Sequence, residues 1–128
     1  MAPERKKLKR AQLIQRIRTV ERMQSAAAAS EAEATRVRLF GVAERTRSLA
    51  AHYAPRAGDM VGADLRSGKA MLDQLQKLTE LSEQQAVEAD RQSQARREDF
   101  AKSDLRLRMA EESTRDLVKT IVAGLERG

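Results

Sequence analysis

Ala54-Pro55-Arg56-Ala57-Gly58-Asp59-Met60-Val61-Gly62-Ala63-Asp64 is the stretch on which the fold turns. It carries one of the two prolines and two of the six glycines of a 128-residue chain. That combination ends one helix and opens a turn. On either side the chain reads as helix. From Pro3 to Tyr53 there is no further proline and a single glycine, Gly41. From Leu65 to Glu126 there is no proline, and the glycines, Gly68 and Gly124, lie near the two ends. The residues between are mostly good helix formers, and Asp64 is placed to cap the second helix. The expected fold class is therefore all-α, a long two-helix antiparallel coiled-coil hairpin occupying residues 1–128 as a single domain. Its parts are a helix over about residues 4–53, a turn over about 54–64 and a helix over about 65–126.

Composition agrees with a narrow seam between helices and not with a multi-layer core. Charged residues make up 34% and hydrophobic residues 41%, but there are only two Phe, one Tyr and no Trp to fill a thick interior. Cysteine is absent, which removes disulfide frameworks, thiolate metal sites and cysteine nucleophiles together. No apolar run approaches the roughly 18 residues of a membrane span, and no apolar stretch follows the basic start as a signal peptide requires. The expected location is the cytoplasm, with any membrane association peripheral and made through partners. The net charge of +6 has one origin: residues 1–24 hold eight Lys and Arg against two Glu, and the remainder of the chain is balanced.

A two-helix coiled coil needs apolar or small residues alternately three and four apart. The second helix supplies them at Leu65, Gly68, Leu72, Leu75, Thr79, Ser82, Ala86, Ala89, Ser93, Arg96, Phe100, Ser103, Leu107, Ala110, Thr114, Leu117 and Ile121, with Arg96 the one charged exception. In the first helix Leu13, Ile17, Val20, Met23, Ala27, Ser30, Ala34, Val37 and Gly41 follow the same rule, with one extra three-residue step. Folding back at the turn pairs positions whose numbers sum to about 120, so that large meets large and small meets small. The partners are then Leu13 with Leu107, Val20 with Phe100, Ala27 with Ser93, Ala34 with Ala86, and Gly41 with Thr79. The product is a rod whose Ala- and Ser-rich middle, Ala26 to Ala34 against Ala86 to Gln94, buries little and is compliant. Four i,i+4 pairs, Asp73–Lys77, Glu98–Lys102, Asp104–Arg108 and Glu111–Arg115, are expected to add about 0.2 to 0.5 kcal/mol each.

Nothing in the sequence points to catalysis or to a cofactor. Ser67-Gly68-Lys69 is followed by Ala70, so no phosphate loop is formed. His52 is the sole histidine and reads as an ordinary residue at a helix end, which excludes helical two-histidine metal motifs and leaves no small-molecule chemistry. Adjacent carboxylates, Glu98-Asp99 and Glu111-Glu112, point about 100° apart on a helix and read as a solvated face. The dense cluster is Glu4-Arg5-Lys6-Lys7-Leu8-Lys9-Arg10. It reads as a solubilising helix start or as a contact for acidic protein surfaces, nucleic acid or anionic membrane. Nucleic acid ranks below protein, because no aromatics interleave the cations for stacking. Membrane ranks low as well, because bulky apolar neighbours are few.

The basic start, a first helix ending near Leu49-x-x-x-Tyr53, a short hinge, and then Leu72-x-x-Leu75-x-x-Leu78 followed by Gln84-x-x-Val87 resemble the FliJ family over nearly the whole chain. The resemblance implies a non-catalytic coiled-coil stalk of the flagellar type III protein export apparatus. It would sit in the ring of the export ATPase and engage the export gate protein and export chaperones at the inner face of the cell membrane. On that basis Arg5, Lys6, Lys7, Lys9, Arg10 and Arg16 are the candidates for an acidic ring surface, and Leu117, Ile121, Val122 and Leu125 for apolar contacts. Two alternatives stand beside it. One is a scaffold that self-associates as a four-helix bundle through Leu39, Phe40, Leu49, Leu81 and Leu105. The other is a helical protein that binds nucleic acid nonspecifically through its basic N-terminus.

Overall fold

The computed structural model describes the backbone of residues 2–53 and 63–128 and the side chains of residues 3–53 and 66–128. It contains two helices packed against each other, α1 (Ala2–Tyr53, 52 residues) and α2 (Ala63–Arg127, 65 residues), and no strand among the described residues. The expected all-α hairpin is the fold. Pro3 and Glu4 occupy the first turn of α1, where a missing N–H costs nothing and a carboxylate meets the positive end of the helix dipole. Residues 54–62, most of the expected turn, lie outside the described residues. The second helix is already formed at Ala63, so Asp64 stands inside it rather than ahead of it, and its side chain lies outside the described residues as well.

Contacts group the chain into two units, Met1–Ser30 with Ala95–Gly128, and Glu31–Gln94. In the first unit Arg22 Nε donates to Asp104 Oδ1 at 2.8 Å, and Ser25 and Ser103 share a hydrogen bond of 2.8 Å. In the second, Ser93 Oγ donates to Glu33 Oε2 at 2.8 Å, and Arg47 donates to Glu83 through Nε and Nη2 at 3.0 and 2.6 Å. Within each unit, later residues of α1 meet earlier residues of α2, so both pairs are antiparallel.

On α2 the inner row is the expected one from Gly68 onward apart from Arg96, and the side chain of Leu65 lies outside the described residues. Leu75, Ser82, Ala86, Ala89, Ser93, Ser103 and Ala110 are buried; Gly68, Leu72, Thr79, Phe100, Leu107, Thr114, Leu117 and Ile121 are half-buried; Arg96 is exposed and pairs with Asp99 at 3.1 Å. On α1 the expected row is overturned. Leu13, Ile17, Val20, Met23 and Val37 are 57%, 49%, 52%, 64% and 57% exposed, and Ala27, Ser30 and Ala34 are exposed too. A Cβ added to Gly41 would meet nothing within 4 Å, so that glycine is no close-packing point against Thr79. The residues of α1 that turn inward are Leu8, Ala11, Gln15, Arg18, Arg22, Ser25 and Ala29 in the first unit, and Ala32, Arg36, Leu39, Ala43, Thr46, Ala50 and Tyr53 in the second. They too alternate at spacings of three and four.

Register changes with the face. A sum near 120 would set Ser25 beside Ala95 and Arg47 beside Asp73, but their partners are Ser103 and Glu83. The pairings of Leu13 with Leu107, Val20 with Phe100, and Gly41 with Thr79 therefore fail, because those α1 residues are not on the inner face.

Two physical reasons make the Ala, Ser and Arg row of α1 the better seam. Small residues let the helix axes approach, and most of the buried positions of α2 are also Ala or Ser. Arginine stems lie along apolar surface while their heads reach a carboxylate or an aromatic ring. Arg22 bonds Asp104 and lies 5.2 Å from the Phe100 centroid; Arg36 bonds Glu33 at 2.5 and 2.9 Å and lies 5.5 Å from the Phe40 centroid. The inward hydroxyls are satisfied locally: Thr46 donates to Val42 O, Thr79 to Leu75 O, and Ser82 to Leu78 O, each at 2.7 Å. Among the described residues no buried side-chain polar atom is without a partner. Of the four expected i,i+4 pairs only Asp104–Arg108 forms; the other ion pairs within one helix among the described residues are Arg18–Glu21, Glu33–Arg36, Glu88–Arg91 and Arg96–Asp99.

Candidate partner-binding surface

The basic cluster sits on the first turns of α1 in the first unit. Arg5, Lys6, Lys7, Lys9, Arg10 and Arg16 are all exposed, and none of the six makes an ion pair among the described residues. Cations at the start of a helix face the positive end of its dipole, so this cluster works slightly against the helix that carries it. Further along α1 the pattern changes. Arg18 pairs with Glu21 at 2.9 Å, Arg22 with Asp104, and Arg36 with Glu33. Four of the later arginines of α1, Arg18, Arg22, Arg36 and Arg47, are thus engaged with carboxylates, whereas the first six cations make no ion pair among the described residues.

The apolar candidates divide. Leu117 and Ile121 belong to the inner row of α2 and are half-buried, while Val122 and Leu125 are 46% and 59% exposed. Leu117 lines an open groove of the first unit with Lys7, Arg10, Ala11, Ile14, Ala110 and Ser113. Basic and apolar candidates thus meet at one place. The group missed by sequence reasoning is Leu13, Ile17 and Val20. They were assigned to the seam and instead form an outward row at heptad spacing, one and two turns beyond the basic cluster. Each leaves about 1 kcal/mol of possible burial unused.

Electrostatics of the first unit centre on Asp104. Hydrogen bonds from Arg22 and then Arg108 hold its carboxyl below the ordinary carboxylate range, against a smaller opposing effect of burial. In the second unit the hydrogen bond from Arg36 to Glu33 raises the already high pKa of that guanidinium. Both arrangements fix side chains at the seam, and neither sits in an enclosed pocket that would desolvate a reacting group.

His52 is exposed in the last turn of α1, with its ring edge-on to Tyr53 at 5.6 Å. No cluster of three or more His, Asp or Glu side chains suited to a metal ion occurs among the described residues. No helix among them is long and apolar enough to cross a membrane. An open groove of the second unit is lined by Val37, Phe40 and Val87 beside Arg36, Arg47 and Glu83.

Compared with known protein families, curated proteins and solved structures, the chain matches none.

Proposed function

We propose that this protein is a non-catalytic helical coupling component that works through protein contacts, of the kind the FliJ resemblance implies. In that role it is a stalk that engages the ring of a flagellar type III export ATPase, together with export gate and chaperone proteins. It needs no cofactor. The observation that supports this most is the composition of the first unit's surface: six exposed cations with no ion pair among the described residues, set beside the exposed Leu13, Ile17 and Val20. A helix start that carries cations against its own dipole, next to aliphatic side chains left in water, departs from local stability rules in the way interaction sites do.

The test is the rate of ATP hydrolysis and ring assembly of the export ATPase of the same organism, with and without this protein. Stimulation that weakens on deletion of residues 1–10 is the expected result. No binding and no stimulation by a fully helical protein would overturn it.

A second reading rests on a different set of side chains. Phe40, Leu49 and Leu81 in the second unit and Leu105 in the first are 44%, 46%, 50% and 56% exposed, which favours a self-associating scaffold. Leu39, expected among them, is half-buried in the inner row of α1 and is not available. Sedimentation at increasing concentration separates the readings, since the scaffold is a dimer and the stalk a monomer.

A further inference from the structure

The outward row Leu13, Ile17 and Val20 has steps of four and three residues, the spacing by which one helix receives another. Their exposures of 57%, 49% and 52% show that neither α1 nor α2 fills that role. The row is flanked by charge of one sign. Lys9, Arg10 and Arg16 lie three or four residues from Leu13 or Val20, hence beside them on the helix surface, and are exposed. The acid of the neighbouring turn, Glu21, is held by Arg18 at 2.9 Å.

We infer that this face of α1 is a docking site for an acidic amphipathic helix of a partner protein, whose apolar row seats on Leu13, Ile17 and Val20 and whose flanking carboxylates meet Lys9, Arg10 and Arg16. In paired helices the apolar row supplies affinity, and the flanking charges choose the partner and its direction. A second copy of the same face is the wrong occupant, because it would set one basic flank against another. A bilayer surface is a poorer match: the row has three aliphatic side chains and no aromatic, where an interfacial helix presents a broad apolar face. The inference rests on the partner-binding role proposed above, and it does not require that the partner be an export ATPase.

The test uses the full chain and two labelled helical peptides with the same heptad apolar row, one flanked by Glu and the other by Lys, read by fluorescence anisotropy. The Glu-flanked peptide should bind, more weakly as salt rises, and the Lys-flanked peptide at least about tenfold more weakly. Ile17→Glu should weaken the acidic peptide by about tenfold or more. Arg10→Gln with Arg16→Gln should weaken it while leaving the apolar row intact, with circular dichroism confirming full helix in each variant. Equal binding of both peptides, or binding untouched by Ile17→Glu, overturns the inference. So does concentration-dependent dimerisation abolished by Ile17→Glu, which assigns the row to a second copy. Binding to anionic vesicles abolished by that change, without peptide binding, assigns it to a membrane and also overturns it. Acidic-peptide binding by a chain that fails to stimulate the ATPase leaves this site standing and removes the flagellar assignment.

Discussion

The two helices fill their shared seam in different ways. In α2, Leu72, Leu75, Leu107, Leu117 and Ile121 turn toward the seam; in α1, Leu13, Ile17, Val20, Met23 and Val37 turn away, and the seam is filled mostly by Ala, Ser, Thr and Arg, with Leu8 and Leu39 among them. The difference teaches that a helix can satisfy its neighbour with small residues and arginine stems while it keeps a stronger apolar row for another purpose. For α2, the apolar row at seam spacing is also the row that is buried, although Leu78, Leu81 and Leu105 stand exposed outside it. For α1 pattern and burial separate, and the row left over is the clearest feature of the molecule that stability does not account for.

The contrast can be broken most directly at its largest buried side chain. Leu75 is 8% exposed, and Leu75→Ala should cost about 2 to 3 kcal/mol in urea unfolding, while Leu13→Ala should stay within about 0.5 kcal/mol. Equal costs would mean that the two faces of α1 are wrongly distinguished. A smaller effect tests close approach. Ser93 is fully buried and donates to Glu33, so Ser93→Leu should overpack the seam by about 1 to 3 kcal/mol. Leucine at exposed Ala27 should leave the melting temperature nearly unchanged.

Gly41→Ala sharpens the comparison with the opposite sign. The added methyl meets open space in a helix interior, so the protein should gain about 0.5 to 1 kcal/mol by the same unfolding measurement. A loss would return Gly41 to the seam. The smallest effect concerns Asp104, whose carboxyl Arg22 and Arg108 hold below its ordinary value. A depressed acid contributes stability above its unfolded pKa of about 3.9 and loses it as pH falls through the folded value. Wild type should therefore exceed Asp104→Asn in stability at neutral pH, and the gap should close in acid; a gap that persists below pH about 2 would point to packing.

How much of this was legible depends on residue type more than on position. The proline and glycines of residues 54–62 separated two helices, and α2's inner row could be followed nearly residue by residue because each layer held an apolar or small side chain. The inner row of α1 was hidden by Gln15, Arg18, Arg22 and Arg36, which look like solvent-facing residues until their stems are placed against a neighbouring helix. The six candidate cations were visible as a charge cluster. The engagement of Arg22 was not, because its carboxylate, Asp104, is presented by the opposite helix.

By itself the sequence determined that the chain is two long helices divided near residue 58, with positive charge gathered at the start of the first, since helix propensity, helix-breaking residues and charge are local properties. The tertiary structure alone decided which face of α1 is the inner one. Both of its rows have the spacing a seam requires, and the choice between them rests on axial separation, the reach of Arg22 to Asp104 and of Ser93 to Glu33, and the small side chains of α2, all of which act only once the helices are side by side.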